Sequence, residues 1–148
     1  MPPVTVDEVL ERATRLVGAP FHLQGRSAKA VDCLGTIAIA FGLVGSPHDR
    51  RRDYDPETAV AGELRAGLLA AGFREIPVDE AEPADVLTFH ALEAPDIERH
   101  VAIRTHRGMI HTSESGRVAD VPFGRPWTRL VHAAYRYEQL SDGEADHG

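Results

Sequence analysis

A single cysteine, Cys33, stands among the 148 residues, so no intrachain disulfide framework holds this chain and packing must. Lysine is almost missing, with Lys29 alone, and the net charge is −7 at pH 7. That balance excludes a general nucleic-acid binder, which needs clustered cations to meet phosphates. The densest basic run, Arg50-Arg51-Arg52, is flanked by Asp49, Asp53 and Asp55 and reads as a solvated loop. No apolar run approaches the length of a membrane span. The first residues offer neither a basic nor an apolar leader region, so synthesis in the cytoplasm without a secretory signal is expected. Internal repeats, low-complexity linkers and local metal-ligand pairs such as H-E-x-x-H or C-x-x-C are also lacking.

What is present suits one α+β domain over residues 1–140, followed by an acidic, frayed tail over residues 141–148. Apolar residues make up 43% of the chain, enough for a single core at this size. Thr5-Val6-Asp7-Glu8 is a capping box and predicts a helix through Val17, ended by Gly18. The run from Cys33 to Val44 has helical composition, with Asp32 as N-cap and Gly45 past its end. Asp55-Pro56-Glu57 predicts a third helix, running to about Ala71. After Gly72 the pattern changes to short apolar and β-branched runs at 85–89, 100–105, 109–113, 118–121 and 131–137. These predict an antiparallel sheet behind the N-terminal helices.

Cys33 falls in the first turn of its predicted helix. Free N–H groups and the helix dipole there favour a thiolate and an attacked carbonyl's oxyanion. The bland alternative is a small core side chain. A base has to come from elsewhere in the chain. If His106 and Arg107 form a two-residue turn, Ala102 faces His111, and His100 shares that face. His100 and His111 then become diagonal neighbours at roughly 7–8 Å. That is the layout of a base and the group that orients it. Of the remaining six histidines, His22 precedes the Cys33 helix, while His48, His90, His106, His132 and His147 lie in polar segments, turns or strand ends.

Taken in order, Gly18-Ala19-Pro20-Phe21, Asp32-Cys33-Leu34-Gly35, Pro83 to Phe89, His100 to Ile103 and Met109-Ile110-His111 resemble the NlpC/p-sixty family of cell-wall cysteine peptidases. The likeness extends from Val6 to Tyr137. It implies a papain-like α+β fold, Cys33 as nucleophile, His100 as general base and acid, and His111 as the orienting third residue. It implies hydrolysis of peptidoglycan stem peptides between γ-D-glutamyl and a diamino acid, with no metal or organic cofactor. Members often carry Tyr where Phe21 stands, and Ser where Leu34 stands. Pro20 to Arg26 and the closing Pro126 to Tyr137 look most like the branch found in phage tails and gene transfer agents. That branch implies a place in a tail tip or baseplate, bound to hub proteins and acting at the target cell's wall. Within it Gln24 is the candidate to donate a side-chain N–H to the oxyanion, and Trp127 reads as core packing. A particle assembled in the cytoplasm also solves the delivery of a wall hydrolase that has no leader of its own.

Overall fold

The computed structural model describes residues 3–22, 25–27, 29–44, 46, 61–112 and 116–141. The chain opens with β1 (Val4–Thr5) and α1 (Val6–Arg15), and the capping box at the start of α1 is complete. Thr5 accepts from the Glu8 N–H, and the Glu8 carboxylate accepts from the Thr5 N–H. Gly18 ends this region with φ +95°, a left-handed conformation that suits glycine. A minimal hairpin, β2 (Arg26–Ser27) and β3 (Ala30–Val31), leads into α2 (Cys33–Ala40). This helix is shorter than its apolar run. The chain leaves it at Phe41, and Gly42 takes φ +74° while Leu43 stays buried.

The third helix also differs from expectation. α3 (Glu63–Ala70) begins behind Gly62, whose φ of +83° interrupts any helix continuing from upstream; the start signal at Pro56 lies outside the described residues. β4 (Phe73–Ile76), a short 3-10 turn, β5 (Val86–Ala91), β6 (Ala94–Arg104), β7 (Gly108–His111) and β8 (Ala119–Pro122) follow. A single helical turn, α4 (Arg125–Thr128), then β9 (Val131–Tyr137) and β10 (Leu140–Ser141) complete the described chain. Ser141, expected to open the tail, instead pairs with Thr5, because β10 runs parallel to β1. Residues 142–148 lie outside the described residues. None of the described helices is long and apolar enough to cross a membrane.

Six strands form one antiparallel sheet in the order β4-β9-β5-β6-β7-β8. Alternation along these strands creates two cores. Val86, Val101, Ile103, Ile110, Ala133 and Tyr135 face the helices and pack with Val9, Ile37, Phe41 and Leu68. Leu87, Phe89, Ala102, Met109 and Ala134 face the other way, under Phe123, Trp127 and Leu130. Both faces of the central strands are therefore buried, which accounts for their nearly continuous apolar runs. On the helix side Phe41, Phe73 and Tyr137 meet with ring centroids 5.0–5.4 Å apart. Such aromatic pairs contribute about 0.5–1.5 kcal/mol each beyond their buried area.

Asp85 closes the start of β5. Its two carboxylate oxygens accept from Arg136 at 3.0 and 2.8 Å, and Oδ2 also accepts the Glu82 N–H. The preceding Ala84 holds φ +76° and is fully buried. Asp85 is thereby a structural clasp between β5 and β9.

Candidate active site

The predicted β6–β7 turn is present. Ala102 pairs with His111, Ile103 with Ile110 and Arg104 with Met109, and the Thr105 N–H donates to the Gly108 carbonyl. His100 and His111 consequently share a face, and His100 Nε2 lies 3.0 Å from His111 Nδ1. One ring's N–H donates to the other's lone pair, with the rings nearly perpendicular at 84°. Trp127 packs against both imidazoles, its ring centroid 4.7 Å from that of His111 and 6.3 Å from that of His100. Phe89 lies 6.0 Å from His100 and 5.6 Å from Trp127, so the two aromatic rings stand together beside the imidazole. These aromatic rings cover part of the imidazole pair, which is why Trp127 belongs to the site as well as to the core. In the sequence its isolated position hides this role.

Both imidazoles are shifted toward the neutral form. Burial lowers the pKa of His100 to about 3, helped by the adjacent His111, and burial also lowers that of His111. The pair works as a neutral hydrogen-bonded unit.

Cys33 is the first residue of α2, as expected. Asp32 caps the helix, its Oδ1 accepting the Gly35 N–H at 2.7 Å. The same oxygen accepts from Arg26 at 2.9 Å. A Cβ on Gly35 would stand 2.2 Å from the Gly25 carbonyl and 2.6 Å from Val31 Cγ2, so only glycine allows the preceding loop to approach so closely. The loop is tied further by Val31 N–H donating to the Pro20 carbonyl and His22 N–H to the Val31 carbonyl. Phe21, half-buried, is thereby bridged to Val31, one residue before the Asp32 cap. His22 is exposed, and Gln24 lies outside the described residues.

The ionisation of the thiol is opposite to the one expected from a helix start. Cys33 is only 6% exposed and belongs to the helix-side core. Burial, and then the negative charge of Asp32, push its pKa up to about 12. Hydrogen bonding from the backbone of Val101, Leu34 and Cys33 itself pulls the other way without prevailing. Desolvation prevails because a thiolate at this position would have little water to solvate its charge. The sulfur accepts the backbone N–H of Val101 on β6, the residue that follows His100. Among the described residues no direct hydrogen bond joins the thiol to the imidazole; His100 points to the Phe89 and Trp127 side.

Among the described residues no three His, Cys, Asp or Glu side chains gather as a metal-binding group. The Asp85 carboxylate is engaged by Arg136.

No protein-family model matches the chain, and no curated protein does. Solved structures do. An NlpC/P60 family protein from Bacillus cereus ATCC 10987 matches 92% of this chain with a TM-score of 0.63 and 18% identity. The chain spans 41% of that protein's length. The NlpC/p60 domain of the peptidoglycan hydrolase SagA matches 90% of this chain and 99% of its own length, with a TM-score of 0.60 and 21% identity. The peptidoglycan hydrolase RipB from Mycobacterium tuberculosis matches 88% of this chain and 63% of its own, with a TM-score of 0.56 and 24% identity. The fold is thus the papain-like α+β fold of these NlpC/P60 proteins.

Proposed function

We propose that this protein is a cysteine peptidase of bacterial cell wall, cutting peptidoglycan stem peptides with Cys33 as nucleophile, His100 as base and His111 as its orienting partner. The observation that carries the reading is the sulfur at the start of α2, hydrogen-bonded to the N–H next to an imidazole that is itself held by a second imidazole. SagA and RipB, which share the fold, are peptidoglycan hydrolases.

The chemistry follows from a neutral resting pair. With His100 Nε2–H donating to His111 Nδ1, the lone pair on His100 Nδ1 is left for the thiol proton. Burial opposes each charge taken singly. A proton passed from sulfur to imidazole creates both charges together, and their attraction in a dry site offsets much of that cost. As the proton moves to Nδ1, the sulfur attacks the scissile carbonyl carbon, and backbone N–H groups at the start of α2, with Gln24, receive the oxyanion. The imidazolium then gives its proton to the departing amine and the C–N bond breaks. Water, losing a proton to His100, attacks the thioester and releases the carboxylic acid and the free thiol.

The finer reading is cleavage between γ-D-glutamyl and the diamino acid, by a tail-tip or baseplate component of a phage-like particle bound to hub proteins. It is supported by the motif likeness of residues 20–26 and 126–137. Purified particles that lack this chain remove the assembly part of the proposal.

The test of activity is digestion of purified peptidoglycan, with products identified by mass spectrometry. Cys33→Ala and His100→Ala are expected to abolish release of muropeptides, and His111→Ala to keep part of it. Equal product from all three variants overturns the assignment. The buried, protonated thiol and Phe21 in place of the tyrosine favour one second reading, an inert subunit on the same fold. Wild-type protein that releases nothing from any wall type, alone or in its particle, establishes that reading instead.

A further inference from the structure

β6 carries an irregularity immediately before His100. Phe89 on β5 faces His100, but His90 faces Glu98, so Arg99 is an extra residue on β6. In a regular strand residues 98 and 100 share a face. The bulge separates them. Glu98 turns to the helix side, where it is 4% exposed, while His100 turns toward Phe89, Trp127 and His111.

A carboxylate buried among apolar side chains requires donors, and Glu98 finds them on β5 beside it and on β9 beyond β5. Its Oε2 accepts from the Thr88 hydroxyl on β5 and from the Tyr135 hydroxyl on β9, the latter at 2.9 Å. Tyr135 is in turn hydrogen-bonded to Arg65 of α3, which pairs with Glu75 of β4. The three central strands are therefore stitched at one carboxylate, two residues from the base. Slipping β6 by one residue would pull Glu98 from both hydroxyls and reverse the face of His100.

We propose that Glu98 is a positioning residue: its hydrogen bonds from Thr88 and Tyr135 lock the bulge at Arg99 and so aim the His100 ring at His111. The catalytic significance rests on the reading of His100 as base; the register lock itself does not.

The decisive measurement is the ring nitrogen-15 shifts of His100 and His111 in the full chain, which report tautomer and hydrogen bonding without any substrate. Wild type and Glu98→Gln, whose amide oxygen still accepts from both hydroxyls, are expected to show one tautomer with a bonded Nε2. Glu98→Ala is expected to show mixed tautomers and a lost imidazole–imidazole bond. In peptidoglycan digestion the alanine variant should lose about 100-fold in kcat with KM unchanged, as a displaced base does. Where Glu98→Ala fails to fold, the double variant Thr88→Val with Tyr135→Phe removes both donors at similar volume and takes its place. A folded donor-free variant that keeps the wild-type shifts overturns the proposal, as does loss of the bond in Glu98→Gln. Wild-type protein with the expected shifts but no hydrolysis leaves the register lock standing and removes the peptidase reading.

Discussion

The guanidinium of Arg26 donates to Oδ1 of Asp32 at 2.9 Å, and both side chains are almost wholly buried, at 4% and 6% exposure. The pair sits one residue before the sulfur. Asp32 therefore holds the helix start and answers to a cation from the preceding hairpin at the same time. Removing the cation takes a hydrogen-bonded positive charge away from a buried carboxylate. Arg26→Gln is expected to destabilise the protein by about 3–5 kcal/mol, the usual loss for breaking one side of a buried pair. Urea unfolding measures it, and a loss below about 1 kcal/mol would mean that water reaches Asp32.

The thiol gives a second expectation. Because burial and Asp32 raise its pKa to about 12, alkylation of native Cys33 by iodoacetamide should stay slow up to pH 9 and speed up only above it. In denaturant the midpoint should return to about 8.5, the ordinary thiol value. Asp32→Asn removes the second cause and should shift the native midpoint downward. A native midpoint below 8.5 contradicts this account of the site.

Acid should unfold the protein through its imidazoles. The folded pKa of His100 is depressed from 6.5 to about 3, and that of His111 is depressed too. The unfolded chain thus binds more protons below pH 6.5. Stability is complete above that value and falls as the pH drops, for His100 down to about 3. Thermal unfolding followed from pH 7 to pH 4 should show a falling midpoint, with a shallower fall in His100→Phe. An identical slope in that variant would place the acid sensitivity elsewhere.

Gly35→Ala tests how tightly the loop seats on the helix. The new methyl would meet backbone at 2.2 Å, and a carbonyl cannot swing aside as a side chain can. A loss of about 1–3 kcal/mol is expected, typical of overpacking in a tight site. Stability unchanged in a thermal scan would show that the Phe21 to Gly25 segment yields freely.

Much of this arrangement was legible in the residues. The capping box at Thr5 and the Asp32 cap are local chemistry, and each formed as read. The His100–His111 relationship followed from a two-residue turn and the alternation of a strand. What was hidden depended on distant partners. β4 was missed because Phe73 and Ile76 are its buried residues, with exposed Arg74 and Glu75 between, so no alternation marks it. β6 starts at Ala94, ahead of the run expected at 100–105, and nothing local marks Glu98 as a strand residue because the hydroxyls that satisfy it come from residues 88 and 135. The thiol's ionisation was misjudged for the same reason. Position at a helix start is written in sequence, whereas the water left around a sulfur is decided by everything packed over it.

The short parallel pairing of β1 with β10 has a mechanical meaning. Val4 stands opposite Leu140, and the Val4 N–H donates to the Gln139 carbonyl at 3.1 Å. A tether pulling outward on both sides of the domain would load these parallel strands lengthwise, straining their bonds together and not one after another. Force applied across the domain then meets a clamp at the point where it enters, before it reaches the sheet that carries the imidazoles.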